Sequence, residues 1–146
     1  MILFAVEEDL AFVRSSWLAS YADSAWARYC TPGSEWRTRG RAGPLYWEGQ
    51  RARIERLIES CTVLVSKGDD EMIDGWACGT GGPESPVVHY VYTRQSCRGQ
   101  GIARALVMAV TGGRAEFRFS HMSKNLDLKR LPKGVYWQPY LGEKGA

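Results

Sequence analysis

Residues 2–6 (Ile-Leu-Phe-Ala-Val) are an apolar run that predicts a buried strand at the start of the chain. From Asp9 the period changes. Leu10, Val13, Trp17 and Tyr21 recur at helical spacing, behind an acidic first turn of Glu7, Glu8 and Asp9 that suits the positive end of a helix dipole. Residues 23–44 contain Pro32, Gly33, Gly40 and Gly43 and predict a long irregular connection, a kind of segment that often carries function. Trp47, Ile54, Leu57 and Ile58 then mark a second amphipathic helix with an arginine-rich outer side. Residues 62–66, a turn at Lys67-Gly68-Asp69-Asp70, and residues 72–78 predict a hairpin.

Pro86 opens Val87-Val88-His89-Tyr90-Val91-Tyr92-Thr93, the strongest strand signal of the chain because β-branched and aromatic residues fill it. A glycine-containing turn follows, then a helix with Ile102, Leu106 and Ala109 on one face, closed by Gly112-Gly113. Residues 115–120 predict another short strand. After His121 come a polar stretch of one or two helical turns and a last strand at Val135-Tyr136-Trp137. The order is β-α-α-β-β-β-α-β with a short tail. Strands before and after the Ile102 helix predict a parallel crossover within a mixed sheet.

Composition narrows the class. A chain of 146 residues suits one domain, residues 1–146. Six Trp, seven Tyr and four Phe supply more apolar surface than a disordered chain could hide. No stretch approaches the ~20 unbroken apolar residues of a bilayer-spanning helix. A signal peptide wants basic residues before its apolar run, and here acidic residues follow it, so a cytoplasmic protein is expected. Cys30, Cys61, Cys78 and Cys97 are widely spaced, form no C-x-x-C pair and share the chain with only two histidines. That pattern predicts reduced thiols and no metal site. The net charge of +3 says little, but Arg37, Arg39, Arg41, Arg51, Arg53 and Arg56 are crowded together. Such a cluster could meet phosphates or an acidic partner; a solvated helix face with a flexible loop is the plainer reading.

Candidate chemistry concentrates in Arg98-Gly99-Gln100-Gly101-Ile102-Ala103, between the strong strand and a helix. Two glycines let the backbone turn sharply and leave its amides uncovered, and the first turn of the helix adds its own free N–H groups. Together they can cradle an anion such as a diphosphate, with Arg98 available for charge-assisted bonds. The Walker ending Gly-Lys-Ser/Thr is absent. Arg104 stands where the dinucleotide fingerprint needs its third glycine, and Glu116 begins a strand where that fold's ribose-binding acid would end one.

Arg98-x-x-Gly101-x-Ala103 after a β-strand resembles the R/Q-x-x-G-x-G/A signature of the GNAT superfamily, the acyl-CoA-dependent N-acyltransferases. The Ser16-Trp17-Leu18 helix and the His89-Tyr90-Val91-Tyr92 strand look like those of small bacteriophage-encoded GNAT-like proteins, for which the host cytoplasm would be the setting. The resemblance implies an α/β (α+β) fold: a mixed, mostly antiparallel sheet with splayed central strands, flanked by helices and truncated at the C-terminus. It implies acetyl-CoA as co-substrate, with its pyrophosphate on Arg98, Gly99, Gln100, Gly101, Ile102 and Ala103. The pantetheine arm would enter beside Val91, Tyr92 and Thr93, whose main-chain amides would polarise the thioester carbonyl.

Transfer to an amine needs a neutral nucleophile. An alkylamine lies about three pH units from neutrality at pH 7, a cost of roughly 4 kcal/mol. A general base lowers that barrier. His89 is the candidate: imidazole ordinarily titrates near neutrality, and strand alternation puts this side chain on the face of Val87, Val91 and Thr93. Its position nine residues before Arg98 is similar to that of a strand histidine in arylalkylamine N-acetyltransferases. Glu84 is the second candidate. The acid that reprotonates the thiolate is sought among Tyr136, Tyr140 and His121, because the family's Tyr-x-x-x-Gly-Phe-like segment has no counterpart after His121. Only 26 residues follow Ser120, so the family's closing hairpin is expected to be shortened. Two other readings stand beside direct acetylation of an amine: a nucleic-acid-modifying phage protein similar to the Mom group, using the Arg37–Arg56 cluster, and a non-catalytic CoA-binding module.

Overall fold

The computed structural model describes residues 1–24, 37–38, 41–81, 85–121, 123, 129 and 131–138. Six strands form one sheet: β1 (Ile2–Phe4), β4 (Thr62–Lys67), β5 (Ile73–Thr80), β6 (Val87–Thr93), β7 (Phe117–Phe119) and β8 (Val135–Trp137), in the spatial order β1-β4-β5-β6-β7-β8. The first four pair antiparallel, and β7 and β8 are added parallel to β6. A small antiparallel hairpin, β2 (Arg37–Thr38) with β3 (Arg41–Ala42), lies in the stretch expected to be irregular. The helices are α1 (Glu7–Ala22), α2 (Pro44–Ser60) and α3 (Ile102–Thr111). This is the expected mixed, mostly antiparallel sheet with flanking helices.

Alternation along the strands divides the core into two layers. Val63, Val65, Trp76, Cys78 and Tyr90 face α1 and α2, where they meet Val13, Trp17, Tyr21, Tyr46 and Leu57. Leu64, Ala77, Val88 and Phe119 face α3 through Leu106 and Val110. Strand β4 is buried on both faces, which is why its sequence reads as an unbroken apolar run. At α1's start the Val6 amide donates to Asp9 Oδ2 at 3.0 Å, and Lys67 Nζ lies 2.9 Å from Asp9 Oδ1. Burial works against ionising Asp9, but these partners outweigh it and lower its pKa. Arg14 and Glu55 join α1 to α2.

Three sequence expectations need correction. β1 is an edge strand and not a buried one: among the described residues it pairs only with β4, and Phe4 is 74% exposed. The outer side of α2 does not hold all its arginines, since Arg51 and Arg56 are exposed but Arg53 is buried. Arg53 falls on the helical repeat of Tyr46, Gln50, Ile54 and Leu57, so geometry turns it inward. The third concerns His89. The β5–β6 register runs Cys78↔Tyr90 and then Gly79↔Val88, so His89 is the extra residue of a β-bulge. Val88 and Tyr90, two positions apart, consequently face opposite layers. Simple alternation from Val87 to Val91 therefore cannot place His89.

Candidate active site

Strand β6 keeps its β5 partner throughout but loses β7 halfway. Val87 and Val88 pair with Arg118 and Phe119, and the last rungs are Ser120 N–H to Val88 O (3.3 Å) and His121 N–H to His89 O (3.2 Å). From Tyr90 to Thr93 the sheet is open on that side among the described residues, which is the splay expected from the resemblance. A cleft of about 530 Å³ occupies the opening, lined by His89, Tyr90, Val91, Phe119 and His121 from the strands and by Ala103 and Val107 from α3.

The glycine turn leads into this cleft. Gly99 (φ 83°) and Gly101 (φ 77°) both adopt left-handed backbone, and a Cβ on either would meet nothing within 4 Å. Space alone does not require glycine here; the backbone sign does, and the absent side chains leave the amides bare. Gly101 is the N-cap of α3, whose first-turn N–H groups have no partners within the helix. Arg98, Gly99, Gln100, Gly101 and Ala103 are exposed and Ile102 is half-buried. Arg98 Nε points back to Thr93 O at 3.4 Å. Val91 lines the cleft, whereas Tyr92 turns toward α1 and meets Phe12 edge-on at 6.0 Å. Thr93 Oγ1 is buried with no hydrogen-bond partner among the described residues. An anion cradle and an orphaned hydroxyl at the strand's open end both fit the phosphate-and-amide chemistry of CoA.

His89 and His121 come together although 31 intervening residues separate them. Both are 2% exposed, and one hydroxyl joins them: His89 Nδ1 lies 2.7 Å, and His121 Nδ1 2.8 Å, from Ser120 Oγ. Around His121 pack Trp17, Tyr21 and Tyr90, with ring centroids at 5.3, 4.9 and 6.4 Å. Burial, with Arg53 and His89 adding repulsion, pushes the His121 pKa well below 6.5, so it is neutral at pH 7. The Tyr90 hydroxyl, 2.9 Å from Ser20 Oγ, is held protonated by burial, its pKa raised to about 12.

The other acid candidates lie elsewhere. Tyr136 is 61% exposed on β8 and borders a separate depression with Arg114, Glu116 and Arg118, so it is not part of the cleft. Tyr140 and Glu84 lie outside the described residues, as do Cys30 and Arg39. Cys61, Cys78 and Cys97 are free thiols, and among the described residues no cluster of acidic, His and Cys side chains could hold a metal ion. No described helix is long and apolar enough to cross a membrane. Sequence reasoning missed Ser120 and Tyr90. Only the parallel register of β6 with β7 brings Ser120 to His89, and no local motif announces it.

The buried, neutral His121 has a consequence for acid stability. The unfolded chain takes up a proton at this residue near pH 6.5, while the folded chain resists it. Its contribution is therefore complete above about pH 6.5 and declines as pH falls, by up to ~1.4 kcal/mol per pH unit. Urea unfolding of wild type and His121→Gln at pH 7.5 and 5.0 should show a smaller acid loss in the variant. Equal losses would mean that the folded protein protonates His121 freely.

No protein-family profile matches the sequence, and no curated protein sequence does. Solved structures do match in fold. A histone acetyltransferase HPA2 and related acetyltransferase from Corynebacterium glutamicum aligns with a TM-score of 0.56 at 18% identity, covering 75% of this chain and 68% of its own. A candidate acetyl transferase from Pyrococcus furiosus gives a TM-score of 0.56 at 15% identity, covering 88% of this chain and 87% of its own. The fold is thus one that proteins described as acetyltransferases use.

Proposed function

We propose that this protein transfers an acetyl group from acetyl-CoA directly to a primary amine. The observation that carries this reading is the opening of the sheet between β6 and β7, with the first turn of α3 lining it through Ala103 and Arg104. A parallel pair normally continues its ladder; here the pairing stops where an acyl-pantetheine arm needs room. The fold likeness to proteins described as acetyltransferases supports the same reading.

Acetyl-CoA supplies an activated thioester. Amides of the Gly99–Gly101 turn and of the α3 N-terminus bind its diphosphate, since unpaired N–H groups and the helix dipole favour negative charge there. Val91 and the open edge of β6 hold the arm in line with the cleft. His89 and His121, on the wall of the cleft, accept the amine's proton, with Trp17, Tyr21 and Tyr90 packed around His121.

Isothermal calorimetry with acetyl-CoA, followed by release of free CoA on adding an alkylamine, tests the proposal. Binding with amine-dependent release supports it; no binding at high micromolar acetyl-CoA ends it. Gly101→Val is expected to weaken binding at least tenfold, about 1.4 kcal/mol. A β-branched residue resists φ of 77° at about 1–2 kcal/mol and covers the amides besides. Unchanged affinity in that variant would remove the turn from the binding site.

A further inference from the structure

Ser120 sits between two imidazoles that share one cleft, and its hydroxyl has a single hydrogen to give. Its Oγ is 2.7 Å from His89 Nδ1 and 2.8 Å from His121 Nδ1, and Ser120 itself is fully buried. In the bridged arrangement one Nδ1 carries a hydrogen and donates to Ser120 Oγ, while the other presents a lone pair to the hydroxyl hydrogen. The far nitrogen of His121, Nε2, is buried with no partner among the described residues.

We propose that His121, Ser120 and His89 form a proton relay, in which His121 Nε2 takes the proton of the acceptor amine and Ser120 passes a proton on to His89 Nδ1. This deepens the acetyltransferase reading and rests on it for the identity of the proton donor. The transfers balance. A proton binds His121 Nε2, the hydrogen on His121 Nδ1 passes to Ser120 Oγ, and the Ser120 hydroxyl hydrogen passes to His89 Nδ1. Only N–H and O–H bonds form and break, and one charge moves.

The surroundings give the relay its direction. His121 is a poor resting place for charge: Arg53 of α2 and His89 repel a proton there, and Trp17, Tyr21 and Tyr90 surround it with ring surface. Ser120 is a positioning residue in this scheme, acting through the two rings.

Nitrogen-15 NMR of the imidazoles in the free protein tests the relay without substrate. At pH 7.5 the expected spectrum has hydrogen on His121 Nδ1 and none on His89 Nδ1; the reverse arrangement would overturn the proposal. Two hydrogen-bearing Nδ1 atoms would mean that Ser120 merely accepts from both rings, and would overturn the proposal. Ser120→Ala should erase this asymmetry; spectra unchanged in that variant would also overturn it. If that variant fails to fold, the wild-type spectrum alone decides. In turnover assays Ser120→Ala should lower kcat on the order of 10²-fold and shift the pH–rate profile, with the KM for acetyl-CoA unchanged and partial recovery in Ser120→Thr. Absence of any turnover in wild type would sink the acetyltransferase reading, whereas the imidazole spectra judge the relay by themselves.

Discussion

Gly79→Ala is expected to cost about 3 kcal/mol of stability, lowering the unfolding midpoint by roughly 6–12 °C for a chain of this size. A Cβ at this position would lie 2.3 Å from Val87 O, 2.6 Å from Val110 Cγ1 and 3.2 Å from Val88 Cα. Two of those atoms are backbone in β6, and the third belongs to the helix packed on the sheet. Rotating one side chain cannot clear the space. Either β6 moves off β5 or α3 moves off both, and each displacement opens the core layer of Leu106 and Val110. Gly79 is also the residue opposite Val88 at the edge of the bulge that carries His89. The same substitution should therefore weaken acetyl-CoA binding in whatever fraction remains folded. Differential scanning calorimetry with and without acetyl-CoA measures both effects. A midpoint within about 2 °C of wild type would show that the sheet and α3 are not pressed together at this point.

That residue also shows how the sequence encodes the fold. Gly75, Ala77 and Gly79 occupy alternate positions of β5, and a Cβ on Gly75 would come within 2.7 Å of Tyr92 O and 3.0 Å of Ile102 Cγ2. A strand with small residues at every second position lets a helix approach closely, which is legible from the sequence once the period of two is known. The glycine turn at 98–103 was equally legible, because punctuation between a strong strand and a helix is a local signal. The histidine site was not. Its assembly depends on the parallel register of β6 with β7, a contact across the intervening α3, and on a bulge that breaks side-chain alternation at His89 itself. Arg53 illustrates the same limit: charge predicts an outward side chain, while its helical position turns it inward. Tyr136 is attractive by residue type, yet it is the outward position of β8: alternation buries Val135 against the cleft and leaves Tyr136 exposed on the other side.

His89→Gln should lower turnover on the order of 10²–10⁴-fold at pH 7 while leaving acetyl-CoA affinity within about twofold. Glutamine keeps a polar atom for Ser120 and fills most of the volume of a side chain that is 2% exposed, so the fold is spared. What it cannot do is hold a proton. The deficit should therefore depend on how much of the amine needs deprotonating. At pH 7 an alkylamine is about three pH units short of its pKa, and each unit of added alkalinity raises its neutral fraction about tenfold. The ratio of wild-type to variant kcat/KM should accordingly shrink between pH 7 and pH 9, with the variant gaining and the wild type levelling off. A ratio that stays constant over that range would show that His89 supports the site by packing, with no proton passing through it. A deficit confined to acetyl-CoA binding would move the residue from the acceptor's side of the reaction to the donor's.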